Sequence, residues 1–225
     1  MRARSVKSRL RQLLGILQET YPDAQCALNF TTPLELLIAT ILSAQCTDVR
    51  VNLVTPALFQ KYRTAVDYVA ADPEELARDI QSTGFYRQKA HAIQRCCAAL
   101  VQQYNGAVPD TMEALVGLPG VGRKTANVVL GNAFGRPHGI AVDTHVQRLS
   151  RRLGLTTETT PDKIERDLVA LVRRKDWTLF SHLLISHGRT VCKARVPQCA
   201  ACPVHHLCPS TRHEGPGEQW HTTQM

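Results

Sequence analysis

No apolar run in this chain of 225 residues approaches the ~18 residues needed to cross a bilayer, so no membrane-spanning helix is expected. No secretory leader is expected in the first residues either. The stretch MRARSVKSRLRQLLGILQETY has no continuous apolar core and no small-residue cleavage site. Its leucines, Leu10, Leu13, Leu14 and Leu17, follow helical spacing, and with Glu19 they read as an ordinary amphipathic first helix rather than a transit peptide. Alternating runs of strand length are absent, and so is any internal repeat, which argues against sheet and solenoid architectures. Acidic side chains are in deficit, 19 against 27 Lys and Arg, for a net charge of +8. Such an excess favours a polyanionic partner, most often nucleic acid.

What is present is helix after helix, and the expected class is all-α. Thr32-Pro33-Leu34-Glu35 is a capping box with proline at the first helical position, opening the apolar stretch LELLIATILSA. Thr47 caps the next segment, and Asp72-Pro73-Glu74-Glu75 repeats the cap logic up to Gly84. A helix over 87–104 stops at Asn105-Gly106 and Pro109. Asp110 with Glu113 is expected to open a short helix, KTANVVLGNAF to form the next, and Asp143 or Thr144 to cap one that ends at Gly154. Thr160-Pro161 is expected to cap another helix, and the last runs from Trp177 to Val191. Residues 209–225, polar with Gly and Pro, read as a flexible tail.

There are eight cysteines. Without a leader, and with enough chain for a core, they read as reduced thiols in the cytosol rather than disulfides. Four crowd one segment, Cys192, Cys199, Cys202 and Cys208, at the spacing C-x6-C-x2-C-x5-C. Four thiolates so close suggest a metal centre. Zinc would take them as a tetrahedron, and a 4Fe–4S cluster also uses four cysteines; spacing leaves both open. His205 and His206 lie inside the cluster segment but read as surface residues, because four cysteines already fill a site. Cys26, Cys46, Cys96 and Cys97 read as buried free thiols. Lys193 and Arg195, between the first two clustered cysteines, read either as a phosphate clamp on a stiffened loop or as an ordinary solvated basic loop.

Residues 118–127, LPGVGRKTAN, read as a tight glycine-rich turn between two helices. The second helix starts near Gly122, so its free N–H groups face the turn and suit a phosphate, without reading any base. Lys124 then reads either as one more phosphate contact or as an amine nucleophile, deprotonated by the helix terminus and by burial. Asp143 in IAVDTHV is the nearest acid partner, able to stabilise positive charge on a sugar, but from the residues alone it reads first as a helix N-cap.

LPGVGRKTANVVL, then AVDTHV, then C-x6-C-x2-C-x5-C closely resemble the endonuclease III family of DNA glycosylases, and LNFTTPLELLIATILSAQCTDVRVN resembles its first long helices. The resemblance runs from about residue 8 to 208. It implies two helical lobes with a helix-hairpin-helix motif at about 110–134 and a C-terminal 4Fe–4S cluster loop. A barrel lobe would span 27–137, and residues 1–26 with 138–208 would form the cluster lobe. By the resemblance, Cys192, Cys199, Cys202 and Cys208 hold 4Fe–4S rather than zinc, in a mainly structural role. Lys124 attacks C1′ of an extruded nucleotide, the Schiff base undergoes β-elimination, and Asp143 assists. The implied DNA contacts are Gln45, Phe85, Pro119, Gly120, Gly122, Arg123, His145, Lys193 and Arg195. Phe85 stands where the family usually carries leucine, and Cys46 replaces a small apolar residue beside Gln45, which fills the hole left by the base. The loop GRPHGIAVDTH is one residue longer than in close relatives, which implies a reshaped approach to Asp143.

The expected function is a bifunctional DNA N-glycosylase and abasic-site lyase that excises oxidised pyrimidines in base excision repair. Its expected partner is double-stranded DNA with damaged bases or abasic sites. It would act as a monomer, in the cytoplasm, without a membrane. Two alternatives stand beside it: a monofunctional mismatch glycosylase of the same superfamily, which would lack a lysine at position 124, and a non-catalytic DNA-binding module with a structural cluster.

Overall fold

The computed structural model describes residues 6–210. Of the tail expected over 209–225, only Pro209 and Ser210 fall among them. Eleven α-helices run through the described residues, with no strand among them. They are α1 (Val6–Thr20), α2 (Pro33–Leu42), α3 (Asp48–Lys61), α4 (Ala65–Ala70), α5 (Pro73–Asp79) and α6 (Tyr86–Tyr104), then α7 (Met112–Val116), α8 (Arg123–Ala133), α9 (Thr144–Arg152), α10 (Pro161–Leu171) and α11 (Trp177–Thr190). None is long and apolar enough to cross a membrane.

Capping chemistry decides most of the helix starts. Thr32 accepts from the Glu35 N–H while the Glu35 carboxylate reaches back, completing the expected capping box. Thr47 and Asp72 cap α3 and α5 in the same sense. A second box, Thr64 with Asp67, starts the six-residue α4. The cap of α7 differs from expectation: Thr111 accepts from Ala114 N–H, and Asp110 is instead paired with Arg136. Asn105 closes α6 in the left-handed conformation, with Gly106 behind it.

The helices surround two apolar cores. In the first, α2 is wrapped by α3, α6 and α8, and buries Leu36, Leu37, Ile38, Ala39 and Leu42 against Ile93, Leu100, Val129 and Leu130. A helix buried on nearly every side reads in sequence as an almost unbroken apolar run, which is what LELLIATIL is. The second core joins the two ends of the described chain. Leu10, Leu13 and Leu17 of α1 pack with Val146, Leu149, Ile164, Phe180 and Leu184, and with Val204 and Leu207 from the cysteine segment. Each of those α1 leucines contributes on the order of 2 kcal/mol by burial. Arg9 of α1 fastens this arrangement, donating to the carbonyls of Leu153, Gly154 and Leu207.

Helix α8 belongs to the first core but meets α11 of the second. The approach is close: a Cβ at Gly131 would lie 2.5 Å from Thr178 Oγ1. Polar bonds line the same seam. His182 Nε2–H donates to Asn132 Oδ1 at 2.8 Å, and this orientation is fixed because Asn132 Nδ2 donates to Val128 O.

Candidate active site and cluster site

The turn before α8 carries its own geometry. Gly120 has φ 79, the left-handed region that favours glycine, and Pro119 precedes it. Gly122 is the N-cap of α8 at φ −87, and a Cβ there would meet nothing within 4 Å. Nothing inside the protein therefore demands glycine at 122. Its exposure leaves room for a second molecule to approach the backbone. No side chain caps the terminus, so the first-turn N–H groups of α8 face outward with the dipole behind them.

Lys124 sits in that first turn and is exposed. This corrects the expectation of burial. The inner face of α8 is taken by Ala126, Asn127, Val129 and Leu130, and the lysine is on the other side. Arg123, expected at the DNA, is bound within the protein. Its Nε and Nη2 donate to the two oxygens of Glu165 at 2.8 and 3.0 Å, and Asn127 Nδ2 donates to the same carboxylate at 2.9 Å.

Asp143 is the N-cap of α9, its Oδ1 accepting from Val146 N–H at 2.8 Å. The capping reading of this residue is thus correct. It does not compete with a catalytic one, because a cap leaves the second carboxylate oxygen available. No hydrogen bond joins Asp143 to Lys124 among the described residues. His145, two residues on, packs so tightly against α11 that a Cβ at Gly188 would lie 2.7 Å from its Nδ1. Burial holds His145 below the usual imidazole range; Asp143 and Asp48 pull it up, and Arg148 and Arg189 push it down. Asp48 of α3 and Arg189 of α11 form an ion pair, which ties the start of α3 to the last turn of α11.

Gln45 and Phe85 stand on two turns of the first core. Both are exposed, Phe85 to 57 %, and both have left-handed backbone, φ 52 and 48. Left-handed backbone at a bulky residue is uncommon and is held only where its surroundings impose it.

Cys192, Cys199, Cys202 and Cys208 line one cavity with Leu153, His187, Val191 and Pro197. Among the described residues, no three metal-binding side chains converge closely enough to hold a single metal ion. A tetrahedral zinc would need its sulfurs about 3.8 Å apart, from Zn–S bonds of ~2.3 Å. Four cysteines lining one cavity are a donor set that a metal centre could use. Burial and the neighbouring sulfurs push the Cys202 thiol up to about 11, so thiolates here call for a cationic occupant. Arg152 Nη1 lies 3.4 Å from Cys192 Sγ, and His187 Nε2 3.5 Å from Cys202 Sγ. His205 and His206 are exposed, as surface residues. Cys96 and Cys97 are buried as expected, whereas Cys26 and Cys46 are only half-buried.

Lys193 and Arg195 are exposed on the loop from Cys192 to Cys199. Two arginines of α9 hold that loop by its backbone. Arg148 donates to Cys192 O, and Arg152 to Lys193 O and Ala194 O, each at 2.8–3.1 Å. Neither arginine was singled out from sequence, although their i, i+4 spacing on one helix face was visible.

Comparison with known proteins agrees with this geometry. The family description "HhH-GPD superfamily base excision DNA repair protein" matches residues 38–174. Endonuclease III of Synechocystis sp. is 55% identical over 92% of this chain and 95% of its own. The chain belongs to the endonuclease III family. Endonuclease III of Bacillus subtilis is 49% identical over 87% of this chain and 89% of its own. A solved structure described as a trapped endonuclease III–DNA covalent intermediate superposes with a TM-score of 0.86, at 50% identity, covering 91% of this chain and 96% of its own. As an endonuclease III family member, the chain is a DNA glycosylase and abasic-site lyase of base excision repair, and DNA is its partner.

Proposed function

We propose that Lys124 is the nucleophile of this enzyme and that its substrates are oxidised or ring-saturated pyrimidines in duplex DNA. The observation that carries the reading is the first turn of α8: an exposed amine beside an uncapped helix terminus and a glycine open to solvent. A phosphate of the damaged strand accepts from the N–H groups at Gly122 and beyond, which sets the sugar at Lys124. The lysine's exposure means that water must be excluded by the DNA itself.

A base stacked in a duplex must first be extruded. Phe85 and Gln45 fill the void that extrusion leaves. The unprotonated Lys124 Nζ attacks C1′, the C1′–N bond breaks, and the base leaves with the bonding pair and then takes up a proton. The amine loses a proton and the ring opens to a Schiff base. Loss of a C2′ proton then expels the 3′ phosphate, nicking the strand, and water releases Lys124. Asp143, fixed in orientation by Val146 N–H, offers its carboxylate to the positive charge that develops on the sugar.

Cys192, Cys199, Cys202 and Cys208 would hold a 4Fe–4S cluster, which supplies a structural cross-link when bound. Lys193 and Arg195 then clamp a phosphate from a loop also fixed by Arg148 and Arg152. Pro119, Gly120 and His145 shape the approach on either side, and Arg123 acts through the seam with Glu165. A division into lobes 27–137 and 1–26 with 138–208 is part of this reading, and the two apolar cores among the described residues support it. The enzyme acts as a monomer in the cytoplasm, where its cysteines stay reduced. The test is Lys124→Ala on a thymine glycol duplex. Binding is retained and both base removal and nicking are lost; undiminished nicking would remove Lys124 from the mechanism.

A further inference from the structure

Gln45 and Phe85 are on separate segments. Gln45 lies three residues beyond the end of α2, and Phe85 immediately precedes α6. Each turn has local support, Ser43 Oγ donating to Thr40 O and Thr83 Oγ1 to Ile80 O. Among the described residues, the hydrogen bonds that join one turn to the other come from a single side chain. Lys89, in the first turns of α6 and only 6 % exposed, donates from Nζ to Leu42 O at 2.8 Å and to Thr83 O at 2.7 Å. Leu42 is the last residue of α2, and Thr83 the last of a short 3₁₀ turn, Gln81–Thr83. Both carbonyls are helix-end acceptors that lack an intrahelical partner, and that of Leu42 lies at the negative pole of α2.

A lysine buried without a carboxylate partner is unusual. No ion pair reaches Lys89 among the described residues, and burial holds its ammonium below the ordinary lysine range, with Cys46 pulling the other way. Filling space or satisfying one carbonyl would not need a charge. A cation that bridges two helix ends does what a neutral side chain of the same length cannot: it attracts both at once.

We propose that Lys89 is a positioning residue that locks the Gln45 and Phe85 turns into one rigid ledge, so that both side chains enter the DNA together. It touches neither DNA nor the reacting sugar. The proposal rests on the reading of Gln45 and Phe85 as void-filling residues. It differs from a packing role in one respect: removing Lys89 should matter only where a void has to be filled.

The experiment is a double-mutant cycle on the full chain, wild type, Lys89→Met, Phe85→Ala and the pair. It measures single-turnover excision from a thymine glycol duplex with 2-aminopurine beside the lesion, and lyase activity on a single-stranded abasic oligonucleotide. Lys89→Met is expected to slow duplex excision about tenfold or more and to suppress the 2-aminopurine signal, because an ångström of misplacement costs that much. Single-strand lyase activity stays within about twofold. In the Phe85→Ala background the same change costs much less, since the two residues act as a unit. Equal loss in both backgrounds, or parallel loss of single-strand lyase activity, overturns the proposal in favour of a general structural role. Unchanged excision by Phe85→Ala alone overturns the void-filling reading itself, a pattern distinct from either. Should Lys89→Met not fold, Lys89→Gln, whose shorter amide reaches one carbonyl, is read through the same cycle with the same criteria.

Discussion

Arg123 and Glu165 join the two cores by a two-point ion pair: both oxygens of a carboxylate only 6 % exposed accept from one guanidinium. The arginine comes from the first turn of α8, beside Lys124, and the glutamate from α10. The pair therefore holds the uncapped N-terminus of α8 against the second core.

Removing Glu165 should be costly. Glu165→Ala strands the Asn127 amide and leaves Arg123 without its acceptor, for an expected loss of about 2–3 kcal/mol, since the half-exposed guanidinium is partly re-solvated. Gly139→Ala should do comparable damage from the other side, because its Cβ would lie 1.9 Å from Glu165 Oε1 and 2.9 Å from Asn127. Urea denaturation measures both; a loss below about 0.5 kcal/mol in each would show that the pair contributes nothing.

Gly122→Ala predicts the opposite pattern. The backbone there suits any residue and the added methyl meets open space, so stability should fall by at most about 1 kcal/mol, the cost of alanine at an N-cap. Affinity for damaged duplex should fall about tenfold or more, as the methyl blocks the approach of a phosphate to the helix terminus. Unchanged affinity, measured by fluorescence anisotropy, would mean that DNA does not approach this turn.

His182 gives the fold an acid sensitivity. Burial holds its imidazole below the ordinary value of 6.5, so below that pH the unfolded chain binds more protons than the folded one. Stability should therefore fall as pH drops below about 6.5 and level off once the folded-state value is passed. His182→Gln, which can still donate to Asn132, should flatten this part of the profile relative to wild type. An identical slope in the variant would show that other groups carry it.

Much of this was legible in the sequence where the signal is local. The capping boxes at Thr32 and Thr47, the α1 leucines and the spacing of the four clustered cysteines report on neighbours within a turn or one segment. The Thr64–Asp67 box was equally local, but six residues give too little periodicity to define α4. Glu165 and Lys89 escaped because each has a partner more than forty residues away: Glu165 pairs with Arg123, and Lys89 reaches Leu42 as well as the nearby Thr83. Lys124 was placed on the wrong side of its helix. The positions of Ala126, Val129 and Leu130 already marked the inner face, and the lysine falls outside it. Gln45 and Phe85 were named through the family likeness, while their left-handed backbone is visible only in three dimensions.

Binding to undamaged DNA should weaken steeply with salt. In the proposed clamp, backbone N–H groups, Lys193 and Arg195 would meet phosphates and read no base, so log K should fall linearly with log salt, with a slope near −0.9 for each phosphate neutralised. Titration between about 50 and 200 mM salt gives that slope. A flat line would contradict a phosphate clamp.

The central claim is that the Lys124 amine becomes covalently bound to the sugar. The direct measurement is borohydride trapping on a duplex carrying one thymine glycol, with an abasic-site duplex alongside. The wild type should yield a stable protein–DNA adduct on both, and peptide mapping should place it on Lys124. Lys124→Ala should yield none while still binding the duplex. Failure of the wild type to trap on either duplex, or an adduct of undiminished yield in Lys124→Ala, would contradict the account.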